Sequence, residues 1–293
     1  MPSKDKMIYE LFEFMRERHK IYLAKESGKS KPWTKDKILQ TYRFCNIYRQ
    51  NDTVTKWIAD NWCKPHAKDP HLWFAMVVAR FINLPATLEE LSYPRILQSD
   101  RYGYEEWAQN FKSVISIRQA AGELIYNSAY IVSTNGRKMI KHEYLLAEVF
   151  KPAWLARGRI EGTMGYKGIT LANLHEELTT IMGLGSFMAG QVINDLKHWQ
   201  MKKAPDWWTF AVPGPGSRRG LNRVLGRDKD APWPVSDWDD EMEILYERIA
   251  QMCAAEGMPR LDKSNLQNSL CEVDKWWRVK LGEGRPRSLY PGV

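Results

Sequence analysis

Residues 171–199, LANLHEELTTIMGLGSFMAGQVINDLKHW, place two glycines around one apolar residue between two stretches of helical periodicity. Gly183 and Gly185 permit the backbone conformations of a tight turn. The amide N–H groups that begin the next helix, from Ser186 onward, are then left to hold an anion such as a phosphate. Contacts of that kind grip a nucleic-acid backbone without reading its sequence. A second phosphate signal fails: Gly28-Lys29-Ser30 resembles the tail of a phosphate-binding loop, but the position five residues before Gly28 is Leu23, where that motif requires glycine. Elsewhere, Asp274 and Arg278 in CEVDKWWR stand at i, i+4 spacing on a predicted helix with Glu272 and Lys275 beside them. Such a pair contributes only a few tenths of a kcal/mol, and a solvated helix face is the plain alternative.

These residues need elements to position them. Apolar spacing predicts an amphipathic helix over 7–24. A second is expected from a cap at Thr34 or Asp36 through ILQTYRFCNIYRQNDTVTKWIADNW. Arg43, Asn46, Arg49 and Asp52 recur there in steps of three, which keeps them on one slowly drifting face. Asp52 also has Arg49 and Lys56 within ion-pairing reach on that helix. HLWFAMVVARFINLP is apolar nearly all round and reads as a buried helix ending near Pro85. Further helices are expected at 86–91, 105–122, 141–156 and 236–256. The only β signal is a short strand pair at 129–138 turned by Asn135-Gly136. Loop-rich stretches fall at 157–170 and 211–235, where Gly and Pro concentrate. With no evident interdomain linker, the chain reads as a single, mainly α domain over 1–293.

The 293 residues carry a net charge of +8, which favours a polyanionic partner. Thirteen Trp and thirteen Tyr would suit stacking on unpaired bases, although most such rings belong in a core. Cys45, Cys63, Cys253 and Cys271 are dispersed, which argues against a zinc ribbon or a disulfide framework and fits reduced thiols in a cytoplasm. No apolar run approaches the roughly 20 residues that span a membrane, and the charged start lacks a signal-peptide apolar region.

The segment 171–199 resembles the helix-hairpin-helix of DNA repair glycosylases, which share its apolar-Gly-apolar-Gly core followed by a small residue, here Ala189. The resemblance extends to PGPGSRRGLNRVLG, where Arg218, Arg219, Asn222 and Arg223 match a basic helix with an Asn-Arg pair. The glycosylase Asp expected near Gly214 is replaced by Pro and Gly. Excising a base needs a carboxylate for the developing sugar cation, so this departure counts against glycosylase chemistry. Asp206, earlier in the same loop, is the one substitute.

YRFCNIYRQNDTVTKWI, the hairpin, PGPGSRRGLNRVLG and LQNSLCEVDKWWRVKLGEGRPRSLYPG together look like one phage family. These are the alpha-glutamyl/putrescinyl thymine pyrophosphorylases, or amino acid:DNA transferases, with the related helical domain of hydroxymethyluracil DNA kinases. The resemblance implies an enzyme on double-stranded phage DNA that displaces pyrophosphate from modified thymine with a free amino acid or polyamine. A polyanionic leaving group calls for arginine forks, which makes Arg43, Arg49, Arg218, Arg219 and Arg278 candidates, with Asn46 beside them. Lys275 would hold a phosphate or the donor's carboxylate. A protonated amine needs a carboxylate to take its proton, and Asp52, Glu272 and Asp274 are the candidates. Gly183, Gly185 and Ser186 would hold DNA. By analogy with glycosylases the base is flipped out, with Trp207 and Trp208 as stacking candidates against a core-packing alternative. Asp195 could orient a basic residue in the site, against a helix-surface alternative. No Cys/His cluster marks zinc, and Mg2+ accompanying the pyrophosphate fits the chemistry without legible ligands. A DNA glycosylase and a non-catalytic DNA-binding subunit are the alternative readings.

Overall fold

The computed structural model describes residues 3–96, 103–127, 134, 136–286 and 289–290, and the protein is mainly helical. In chain order the helices are α1 (Lys4–Glu26), α2 (Lys37–Thr41), α3 (Thr53–Ile58), α4 (Leu72–Ile82), α5 (Pro85–Leu91), α6 (Gly103–Ala120) and α7 (Lys141–Tyr144). They continue with α8 (Lys151–Leu155), α9 (Arg157–Met164), α10 (Leu171–Thr179), α11 (Ser186–Leu196), α12 (Pro215–Val224), α13 (Val235–Ala255) and α14 (Lys263–Lys280). The chain divides into two compact units, Met1–Asp52 with Trp208–Val293, and Thr53–Trp207.

In the first unit α1, α12, α13 and α14 share a core that includes Leu11, Met15, Trp238, Leu270 and Trp277. Burial of these side chains is the main stabilising term, about 1.5–3 kcal/mol for each large apolar group. α12 and α14 approach most closely because Gly216 and Gly220, one helical turn apart, face α14. A Cβ on Gly216 would collide with Cys271 Sγ, and one on Gly220 with the Leu270 carbonyl. Asp262 starts α14 by accepting the Asn265 N–H at 3.1 Å, a normal N-cap.

The single helix expected from residue 38 to 62 is not formed. α2 stops at Thr41, residues 43–48 are not helical, and a 3₁₀ turn at Arg49–Asn51 leads into α3. Tertiary bonds outcompete helical ones here. Buried Arg18 of α1 donates to the carbonyls of Phe44 (3.1 Å) and Cys45 (3.2 Å) and to Asn46 Oδ1 (2.8 Å). Phe44, Ile47 and Tyr48 are all drawn into the core, which one helical stripe could not present together.

In the second unit α4 has every residue buried. Its one charge, Arg80, is satisfied by both carboxylate oxygens of Asp195 on α11, one of them 2.6 Å from Nε, and by Asn83 Oδ1 and Thr55 Oγ1. A buried charge persists only when paired in this way. α4 ends at Asn83 in the left-handed conformation. The helix expected at 141–156 is present as α7, a π-helical segment Leu145–Phe150, and α8. The loop expected at 157–170 begins instead with α9. Fully buried Ile160 anchors that helix, and Arg159 ties it to Glu177 of α10 and to Thr180 just beyond. Six of the ten residues of the expected strand pair at 129–138 lie outside the described residues.

Candidate active site and hairpin

Asp274 is wholly buried on α14, and three arginines meet its carboxylate. Arg219 Nε lies 3.0 Å from Oδ2, Arg223 Nε 3.0 Å from Oδ1, and Arg278 Nε 3.5 Å from Oδ2. The Gly216/Gly220 contact makes this possible, since it brings Arg219 and Arg223, also one turn apart, against α14. Arg223 additionally pairs with Glu283. Arg219 bonds Asp274 through its Nε edge while Arg278 stands at ion-pair distance, and both side chains remain about a third exposed, at 32% and 31%. The outer fork of Arg219 is thus oriented by a carboxylate that is itself closed to solvent, with Arg278 beside it.

The other face of α14 pins the irregular segment 44–52. Asn265 Oδ1 accepts the Arg49 N–H at 3.0 Å, Asn268 donates to the Asn46 carbonyl at 3.2 Å, and buried Glu272 accepts the Cys45 N–H at 3.0 Å. Lys275 Nζ stands 2.5 Å from the other Glu272 oxygen. Burial opposes the Lys275 charge, but Glu272 outweighs it and holds the lysine proton more firmly than usual. Asp52 accepts the Asn46 N–H at 2.8 Å, and Asn46 Nδ2 closes the loop on the Asn51 carbonyl at 2.9 Å. Burial pushes the Asp52 carboxyl up to about 6, against the opposing pull of the Asn46 N–H and Arg49. A carboxylate of that basicity can take a proton near neutral pH.

The expected site residues therefore fall into two groups on α14: Asp274, Arg219 and Arg278 on one side, and Asn46, Arg49, Asp52, Glu272 and Lys275 on the other. Arg43 is exposed and packs instead against Tyr290, 5.7 Å from the ring centre. Arg218 is half-buried on α12, its carbonyl accepting the Trp233 indole N–H at 3.3 Å. Arg18, Asn265 and Asn268 are positioning residues that sequence reasoning overlooked. Their signal was weak, since each reaches its partner across more than 25 residues of chain. The Gly216-xxx-Gly220 spacing was legible and marks the close helix contact.

In the second unit Gly183 and Gly185 separate α10 from α11. Gly183 adopts a left-handed φ of 78°, and a Cβ there would lie 2.6 Å from Val149 Cγ2. Gly185 is extended, at φ −67°, and a Cβ there would meet nothing within 4 Å. Only the first glycine is required by conformation. Gly185 begins α11 with no side-chain cap, beside exposed Ser186. His175 of α10 closes the hairpin through the Ser186 carbonyl at 2.9 Å.

Asp206 accepts the Leu171 and Ala172 N–H groups at 2.7 and 2.9 Å, so its two oxygens cap the start of α10. Asp195 orients a basic residue, Arg80, in the interior. Trp207 donates its indole N–H to the Lys197 carbonyl at 2.7 Å, with Lys197 Nζ over the ring, and Arg260 covers Trp208 at 3.6 Å. Among the described residues no three His, Cys, Asp or Glu side chains gather as metal ligands, and no helix is long and apolar enough to cross a membrane.

Residues 5–285 match the family described as 5-hmdU DNA kinase, helical domain. The chain is 26% identical over 293 residues to the 5-hmdU DNA kinase of Bacillus phage SP10. That alignment covers 89% of this chain and 43% of the relative, so the chain spans less than half the relative's length. No solved structure matches. With the match running through α12, α14 and the hairpin alike, the chain belongs to the family of the 5-hmdU DNA kinase helical domain.

Proposed function

We propose that this protein is a transferase in the hypermodification of thymine in phage DNA, of the amino acid:DNA transferase kind. It joins an amino acid or polyamine to the C5 methylene of pyrophosphorylated 5-hydroxymethyluracil. The observation that carries the reading is the buried Asp274 with Arg219 bonded to it and Arg278 beside it, two arginines for a polyphosphate. Asp52 stands on the opposite side of α14.

The donor amine arrives as an ammonium ion. One proton leaves it to solvent and frees the lone pair. The amine nitrogen bonds to the C5 methylene carbon while the carbon–oxygen bond to pyrophosphate breaks, and the leaving oxygen keeps the electron pair. Arg219 and Arg278 meet that charge as it develops. The product is a secondary ammonium, so no further proton need leave. Lys275, held protonated beside Glu272, suits an anionic group and not proton abstraction. Gly185 and the start of α11 suit a DNA phosphate in the manner of a helix-hairpin-helix. The capping role of Asp206 weighs against a glycosylase.

The test incubates the full chain with pyrophosphorylated hydroxymethyluracil DNA and a mixture of amino acids and polyamines, followed by digestion and mass spectrometry of the nucleosides. A thymidine heavier by one donor is expected. Unchanged pyrophosphorylated nucleoside would overturn transfer in favour of a binding subunit, and a missing base would indicate a glycosylase.

A further inference from the structure

The sequence stretch from Lys25 to Lys37 carries Lys25, Lys29, Lys31, Lys35 and Lys37 against Glu26 and Asp36. The excess is three positive charges, and the Asp36 carboxylate is engaged by neutral N–H donors. Oδ1 caps α2 through the Ile38 and Leu39 N–H groups, at 2.7 and 3.0 Å, and Oδ2 accepts the Trp276 indole N–H at 2.9 Å. Lys29, Lys31, Lys35 and Lys37 are exposed.

The stretch is also built on two aromatic rings. Lys25 Nζ lies 4.7 Å from the Trp33 ring and 4.5 Å from the Tyr290 ring, and bonds the Tyr290 hydroxyl at 2.8 Å. Lys31 Nζ sits 5.5 and 5.1 Å from the same two rings, and Arg43 lies over Tyr290. Trp33 is itself held by its indole N–H on the Lys29 carbonyl at 2.6 Å. Cations gathered over ring faces are attracted by the rings but repel one another, and an anion brought to them relieves that repulsion.

We infer that the loop 25–37, with Arg43, Trp33 and Tyr290, is a second nucleic-acid contact that takes the phosphate backbone of DNA. The inference rests on the reading that this chain acts on DNA. Lys25, Lys31 and Arg43 meet at Tyr290, while exposed Lys29, Lys35 and Lys37 extend the positive charge along the loop, which matches a row of phosphates better than one small anion. Such a surface grips the backbone without sequence preference. Arg43 thereby becomes a DNA contact and leaves the pyrophosphate to the arginines around Asp274.

The experiment measures binding of the full chain to a short duplex by fluorescence anisotropy across a salt series. Wild type is compared with a Lys29→Glu/Lys31→Glu/Lys35→Glu variant, whose changes are all at exposed positions. The variant's log–log salt slope should be shallower by about 2–3, with affinity at least about tenfold weaker near 0.1 M salt. A wild type that binds with a slope and affinity the variant reproduces would overturn the loop contact and leave the DNA reading standing. A wild type that binds no duplex at all would overturn both. Displacement of the duplex by millimolar inorganic phosphate at constant ionic strength, in wild type and not in the variant, would replace the backbone contact with a small-anion site.

Discussion

Arg219 Nε lies 3.0 Å from an oxygen of Asp274, a carboxylate with no solvent exposure. The pair joins α12 to α14 and fixes a guanidinium that would otherwise sample many rotamers. Arg219→Lys keeps the charge and loses the fork. Transfer should fall by roughly ten- to a hundredfold, equivalent to one charge-assisted bond of about 1.5–3 kcal/mol, with the thermal midpoint little changed. Asp274→Ala should instead cost stability, on the order of 1–3 kcal/mol, because Arg219 and Arg223 each lose a charge-assisted hydrogen bond. Parallel rate and calorimetric measurements on both variants check the distinction.

The α12–α14 contact depends on the lack of a side chain at Gly220. Gly220→Ala must push α12 away from the Leu270 carbonyl, and urea unfolding should show a loss of about 1–3 kcal/mol. Gly158→Ala on α9, where a Cβ meets nothing within 4 Å, is the control. It should be neutral or stabilising by up to about 1 kcal/mol.

Asp52 links stability to pH. Its folded-state pKa, about 6, lies above that of an unfolded aspartate, so folding favours the protonated form. The stabilisation linked to that proton is fully present below about pH 4 and is lost as pH rises through about 6. Asp52→Asn should remove this pH dependence from unfolding curves while Asn46 keeps an acceptor. Unfolding curves of the variant that keep the wild-type pH dependence would remove Asp52 as the titrating group.

The two hairpin glycines should separate folding from binding. Gly183→Ala forces a left-handed residue against Val149 and should destabilise the protein by more than about 1 kcal/mol. Gly185→Ala meets no protein atom and should fold normally. Its methyl group would stand where a phosphate approaches the start of α11, so DNA affinity should drop several-fold. Circular dichroism melts and anisotropy on the two variants give the comparison.

Arg80 and Asp195 hold α4 to α11 through a buried pair. Asp195→Ala should cost about 3–5 kcal/mol by stranding the guanidinium, whereas a joint Arg80→Met/Asp195→Leu exchange should cost far less. Chemical denaturation of the two variants distinguishes pairing from packing as the source of the cost.

The sequence by itself determined the mainly helical class, the extents of α1, α4, α5, α6 and α13 to within a few residues, and the turn between α10 and α11. Each is written in local signals: apolar periodicity, a proline at the first helical position of α5, two glycines around one leucine. Local signals also placed the reactive residue types in CEVDKWWR and SRRGLNRV. Tertiary structure alone decided what those residues touch. Helical spacing put Arg43, Asn46, Arg49 and Asp52 on one stripe. Arg18 and α14 instead bind the backbone of that segment, unwinding the helix, leaving Arg43 with Tyr290 and Asp52 closed against Asn46. The spacing of Asp274 and Arg278 suggested a surface ion pair, but the approach of α12 buries Asp274 under two further arginines from residues more than 50 positions away. Propensity is worth tenths of a kcal/mol per residue, while a buried charge left unpaired costs several, so partners distant in sequence settle the site.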